Sequence, residues 1–191
     1  MSFSKKTLST TALVWIPLAI VLSVASLLVY TTVQQNYRES LNDPQVQVTE
    51  DASAMLVAGH DTQSLVPTER INVATSLSPF IILYNDKGEA VLGSGLLNGT
   101  TPKPPRGVFD FAKTHGEDRL TWQPQAGVRI ATVIRHYKGT TSGYVLAGRN
   151  MREVERRISS LSEIVAVVWL VGLAVSLVAT LALASANEKV K

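Results

Sequence analysis

Hydrophobic residues gather near the two ends of this chain of 191 residues and alternate with polar ones in between. No charged residue occurs over 7–37, and none over 164–187. Each window holds about 20 mostly apolar residues, the length an α-helix needs to cross the hydrocarbon core of a bilayer. The pattern predicts transmembrane helices over 12–33 and 162–184. It places a folded extracytoplasmic domain over 34–161, and cytoplasmic ends over 1–11 and 185–191. Ser23-Val24-Ala25 would serve as a signal-peptidase site, but the apolar run continues through Tyr30. That length favours an uncleaved anchor.

Inside the domain the period changes twice. The first membrane helix is expected to run on to about Leu41. Asn42-Asp43-Pro44 then restarts a helix, with Asp43 as N-cap and Pro44 at the first helical position. Val48, Ala52, Met55 and Leu56 form one apolar face at helical spacing, and Gly59 is the natural stop. A second short helix is expected over 68–75. The run 80–84 is β-prone, followed by the turn Asn85-Asp86-Lys87-Gly88, with Gly88 at positive φ, and a partner strand over 90–93. Residues 94–105 read as a loop. A short helix over 106–114 turns Val108, Phe109 and Ala112 inward and stops at Gly116. Strands over 119–123, 128–136 and 143–147 follow, and the chain is helical from Asn150 onward. The expected class is α+β, a five-stranded antiparallel sheet with flanking helices between two transmembrane helices.

Two stretches resemble a known family. They are Tyr84-Asn85-Asp86-Lys87-Gly88-Glu89 with Val91-Leu92, and Gly143-Tyr144-Val145-Leu146-Ala147-Gly148-Arg149 running through Glu153-Val154-Glu155-Arg156 into the second apolar segment. The segment 80–157 resembles the extracytoplasmic PAS-like sensor domain, of the PDC or Cache type, of bacterial sensor histidine kinases and chemoreceptors. The resemblance implies ligand sensing, with a small-molecule pocket on the inner face of the sheet and the segment before it. Family members continue into relay and output domains. Here seven residues follow Ala184, with no phosphoacceptor region or nucleotide site, so output is left unassigned. A standalone sensor subunit, a segment of a longer protein and a degenerate copy all remain open.

Charge changes the picture less than the pI of about 9.3 suggests. Lys5, Lys6, Lys189 and Lys191 sit at the termini, and the middle segment is nearly neutral, with 14 Lys/Arg against 13 Asp/Glu. Terminal lysines beside apolar helices suit anionic lipid headgroups on the cytoplasmic face, so the expected partners include membrane lipids and no nucleic acid. Arg38, Arg149, Arg152, Arg156 and Arg157 flank the outer side and oppose this orientation. The run from Arg152 to Arg157 is interleaved with Glu153 and Glu155, and the first segment, with Lys5 and Lys6 before it and only Arg38 close after it, usually sets the orientation. Trp15, Tyr30, Tyr37 and Trp169 fit interfacial aromatic belts. Pro17 is read into the first turns of its segment, where a missing N–H costs least.

No catalytic, metal or cofactor site is expected. There is no cysteine, and His60, His115 and His136 lack metal-site spacing. Gly93-Ser94-Gly95 is not a nucleophile elbow. The chain is therefore read as a non-enzyme. The ligand-contact candidates are Arg129, Arg135, Tyr137 and Trp122, for an unknown small molecule. Arg129 and Arg135 share strand parity, opposite to Val128, Ile130 and Ile134, so they serve either as a paired anion contact or as solvated strand charges. Trp122 is either a pocket floor or core. Val154, Ile158, Leu161, Val165 and Val168 repeat at spacings of four and three, a helix-pairing seam for a homodimer or a membrane partner protein. It can equally cover the domain's own sheet. Gly172, Ser176 and Thr180 add a small-residue face. The rival to sensing is a structural or assembly subunit with a protein-binding outer domain.

Overall fold

A computed structural model describes residues 5–39 and 43–189. The chain divides into a helical unit, Met1–Asn36 with Arg157–Lys191, and a domain, Tyr37–Arg156.

The helical unit is built on α1 (Lys5–Glu39) and α5 (Arg152–Lys189), each long and apolar enough to cross a membrane. Its side chains are sorted the opposite way from a water-soluble helix pair. Large aliphatics such as Leu13, Leu28, Val171 and Val178 point outward, while Thr11 and Thr180 are buried. The Trp15 indole Nε1 donates to the Leu173 carbonyl (3.2 Å) and the Ser176 hydroxyl (3.1 Å). Trp169 Nε1 donates in the other direction, to Ser23 Oγ at 3.0 Å. Lipid rewards this arrangement, because packing and interhelical hydrogen bonds replace the hydrophobic drive between helices. The two tryptophans thus tie the helices to each other. Ser176 of the small-residue face takes part, and a Cβ on Gly172 would stand 3.9 Å from Leu22. Since α1 begins by Lys5, Pro17 lies inside the helix and not in its first turns. Membrane helices tolerate such a proline, because neighbouring groups satisfy the freed carbonyl. Of the pairing seam, Ile158, Leu161 and Val165 are half-buried and Val168 is exposed. Val154 packs on Ala131 and Met151 of the domain.

The domain's centre is the five-stranded antiparallel sheet expected from the period-2 runs. It comprises β2 (Phe80–Asn85), β3 (Ala90–Gly93), β5 (Glu117–Gln125), β6 (Val128–Lys138) and β7 (Ser142–Asn150), in the order β3-β2-β7-β6-β5. The first and last strands of the sheet are therefore neighbours at its centre, with one hairpin on each side. Gly88 has φ 70°, as the turn requires. One face carries Phe80, Ile82, Tyr84, Ile130, Ile134, Tyr144 and Leu146 beneath α4 (Arg106–His115). The helix buries Val108, Phe109 and Ala112, and Gly116 follows at φ 90°. The short α3 (Thr62–Leu65) is capped by Asp61. No helix forms over 68–75. Instead β1 (Ile71–Asn72) pairs in parallel with β4 (Gly95–Leu96), inside the stretch read as loop.

The second face lies against α2 (Asp43–Val57), with Ala52 and Leu56 on Ile81, Leu83, Tyr137 and Val145. Here the apolar face expected of α2 is rotated. Gln45, Thr49 and Ser53 are buried with Ala52 and Leu56, whereas Val48 and Met55 are 38% and 46% exposed. At 3.6 residues per turn the two faces differ by roughly 60°. Asp43 is the first helical residue described; its expected capping role depends on residues 40–42, which lie outside the described residues, as does Leu41. Gly59, at φ 86°, ends the helix. The rotation leaves both amide atoms of Gln45 and the Ser53 hydroxyl buried without partners among the described residues. An unmade buried hydrogen bond costs about 1–3 kcal/mol. Gln45→Leu is therefore expected to raise the stability of the full chain by about 1 kcal/mol, read as an increase in melting temperature in detergent. A decrease would show that the amide is satisfied.

The joint between sheet and last helix is one residue, Met151. Asn150, 4% exposed, donates to the carbonyls of Val73 (2.7 Å) and Ala74 (3.2 Å) and accepts from the Arg152 backbone N–H at 2.8 Å. It holds the 73–74 loop and the start of α5 to the end of β7.

Candidate functional site

Two aromatic residues stand opposite each other on the central strands, Tyr84 on β2 and Tyr144 on β7, in direct register. Phe109 of α4 sits between them, edge-on to both, with ring centroids 5.1 Å from each. The Tyr84 hydroxyl donates to the Pro102 carbonyl at 2.5 Å and so pins the loop that leads into α4. The β2–β3 turn rests on the same ring, since a Cβ at Gly88 would lie 3.3 Å from Phe109 Cε2. Turn, loop and helix thereby enclose a cleft of about 400 Å³. Its lining is Asp86, Lys87 and Gly88 from the turn, Lys103 from the loop, Arg106, Phe109 and Asp110 from α4, and Tyr144 from the sheet.

The electrostatics are uneven. Asp86 is engaged: the Ser142 hydroxyl donates to it, and His136 Nε2 stands 3.5 Å away. The Ser142 hydroxyl above all, with His136 and the nearby Lys113 ammonium, holds the Asp86 carboxyl below the usual carboxylate range. That contact stabilises the fold above a pH of about 4 and is lost as pH falls through the lowered value. Lys87, Lys103, Arg106 and the Asp110 carboxylate form no ion pair or side-chain hydrogen bond among the described residues. Tyr144 is 1% exposed and its hydroxyl, on the cleft side, forms no hydrogen bond among the described residues. Burial, then the charges of Asp86 and Asp110, raise its pKa, so the hydroxyl remains a donor at neutral pH. Burial also pushes the Tyr84 phenol up.

The residues singled out from sequence lie elsewhere. Arg135 pairs with Glu50 of α2 at 2.7 Å and with Glu117 of β5 at 2.6 Å. Arg129 pairs with Glu155 at 2.6 Å. Tyr137 is 8% exposed, in the cluster under α2. Strand β6 is apolar on both faces, so the side that alternation leaves to solvent is partly covered by a helix. Trp122 packs on the opposite face, against the core under α4, with its Nε1 buried and without a partner among the described residues. The four are not brought together. Among the described residues no group of three or more His, Asp or Glu is placed to hold a metal ion. No protein-family model and no curated protein matches the chain.

Proposed function

We propose that this chain is a two-pass membrane protein whose domain lies outside the cytoplasm and detects a small molecule in the Tyr144 cleft. In this reading the domain is a PAS-like sensing module of the PDC or Cache type. It signals through α5, without catalysis and without a cofactor, to a second copy or to a membrane partner protein. Lipids surround the two helices, and no nucleic acid is involved. The observation that carries the reading is the cleft itself, a space of about 400 Å³ at whose floor the Tyr144 hydroxyl forms no hydrogen bond among the described residues. Concave sites with a few convergent polar groups are where small molecules bind. The central pairing of first and last strands, and the single residue between β7 and α5, support the same reading. Val48 and Met55, exposed on α2, favour a second one, in which the outer domain docks a protein.

Hydrogen exchange separates the two. The full chain in lipid nanodiscs is compared with and without a mixture of the common amino acids and simple carboxylic acids. Sensing predicts slower exchange in the β2–β3 turn, α4 and β7. Unchanged exchange throughout the domain would favour the docking reading.

A further inference from the structure

Backbone carbonyls outside helices and strands need donors from elsewhere. Between β1 and β2, four of them are met from one place, the joint between β7 and α5. Asn150 Nδ2 donates to Val73 and Ala74 (2.7 and 3.2 Å), Arg152 Nη2 to Thr75 (2.9 Å) and Arg149 Nε to Leu77 (2.9 Å). The segment is itself a tight turn. The Asn72 carbonyl accepts from the N–H groups of Thr75 (3.1 Å) and Ser76 (2.8 Å), and Asn72 Oδ1 from that of Ala74 (2.9 Å). At its other end the Ile71 and Val73 N–H groups donate to the carbonyls of Ser94 (2.8 Å) and Leu96 (2.9 Å), which join β1 to β4. Just beyond β4, Leu97 and Thr100 exchange backbone hydrogen bonds at 2.7 and 3.0 Å, and Pro102 is pinned by the Tyr84 hydroxyl. A run of hydrogen bonds and short chain segments therefore leads from the loop before α4 to the first turn of α5.

We propose that residues 71–77 act as a strap that passes displacement of the 97–105 loop to the start of α5. A second route runs through the sheet, because Tyr84 pairs with Tyr144 on β7 and the Ser94 N–H donates to the Ile81 carbonyl of β2 at 2.9 Å. Strand β7 is the stiffer of the two. It is paired with β2 over 143–148 and with β6 over 142–150, and most of it is buried. The strap rests on a two-residue pairing at one end and on side chains at the other, so it is the part that yields first. Coupling of this kind is carried by a contiguous network and is demonstrated only by perturbing both ends. The strap would respond alike to a small molecule in the cleft and to a docked protein, so its test is independent of the sensing reading.

The test is amide hydrogen exchange of the full chain in nanodiscs, read by mass spectrometry over 71–77, 97–105 and 151–155. Tyr84→Phe keeps the ring and frees the Pro102 carbonyl. It is expected to speed exchange about fivefold in 97–105, the share of one hydrogen bond, and about twofold or more in both 71–77 and 151–155. Asn150→Asp cuts the strap, because the ionised carboxylate still accepts from the Arg152 N–H but donates to neither carbonyl. Arg149→Met together with Arg152→Met removes the other two bonds and leaves Asn150 in place, which decides the matter if the Asn150 variant does not fold. In either background the response to Tyr84→Phe should persist in 97–105 and drop in 151–155, a non-additivity that independent sites do not show. A response confined to 97–105, or absent there, would overturn the proposal. So would a response in 151–155 that survives both cuts undiminished, since it would then travel through β2 and β7.

Discussion

Phe109→Ala is expected to destabilise the domain by about 3–5 kcal/mol, the usual cost of truncating a buried phenylalanine. Domains of this size are stable by only about 5–15 kcal/mol, so the variant should lose much of its margin. The ring does more than fill volume. It stands 5.1 Å from both Tyr84 and Tyr144, supports the Gly88 turn, and is 4% exposed. Its removal leaves a void that turn, loop and helix all border. Phe109→Leu keeps most of the volume and should cost about 1–1.5 kcal/mol. The check is urea unfolding of the full chain in detergent, followed by Tyr and Trp fluorescence. A cost for the alanine variant below about 1 kcal/mol would mean that α4 is not anchored through this ring.

Gly143→Ala is expected to cost about 3 kcal/mol or more, at the severe end of overpacking. A methyl at this position would run into the Tyr84 carbonyl oxygen and stand 3.1 Å from the Tyr137 hydroxyl. The obstacle on one side is backbone of the neighbouring strand, which cannot turn aside as a side chain would. Gly143 pairs with Asn85 on β2 and with Tyr137 on β6, so any shift disturbs both ladders. Gly107→Ala is the contrast. It meets nothing within 4 Å, lies in α4, and should be neutral or gain about 0.5 kcal/mol. Equal melting temperatures for the two variants would contradict the close approach of β2 and β7 at this point.

Local pattern carried the elements far and their partners less. The helix over 106–114 was legible because Val108, Phe109 and Ala112 repeat at helical spacing ahead of a glycine, and the structure extends it by one residue. The hairpin at Asn85-Asp86-Lys87-Gly88 was legible through its turn chemistry, and the strands over 119–147 differ mainly at their ends. The face of α2 was not legible. Val48 and Met55 outrank Gln45, Thr49 and Ser53 in hydrophobicity, and which set docks depends on the shape of the sheet below. The β1–β4 pairing has two residues on each side, too short for any period to show. Arg135 was singled out for its strand parity. Its partner Glu50 lies on α2, a contact that spacing within one strand cannot reveal. The cleft draws on a turn, a loop, a helix start and a central strand, so no motif spans it. The only local hints were the charges packed around Asp86-Lys87 and near Lys103 and Arg106.

The account stands on the domain being displayed outside the cytoplasm between two membrane spans, and labelling of single cysteines tests that most directly. The chain has no cysteine of its own, so each introduced one reports alone. Thr140 is exposed in the connection between β6 and β7, and Asn187 is exposed near the end of α5. Intact cells expressing each variant are treated with a membrane-impermeant maleimide. Thr140→Cys should label in intact cells, and Asn187→Cys only after lysis. Labelling of Thr140→Cys only after lysis, or of Asn187→Cys in intact cells, would contradict the account.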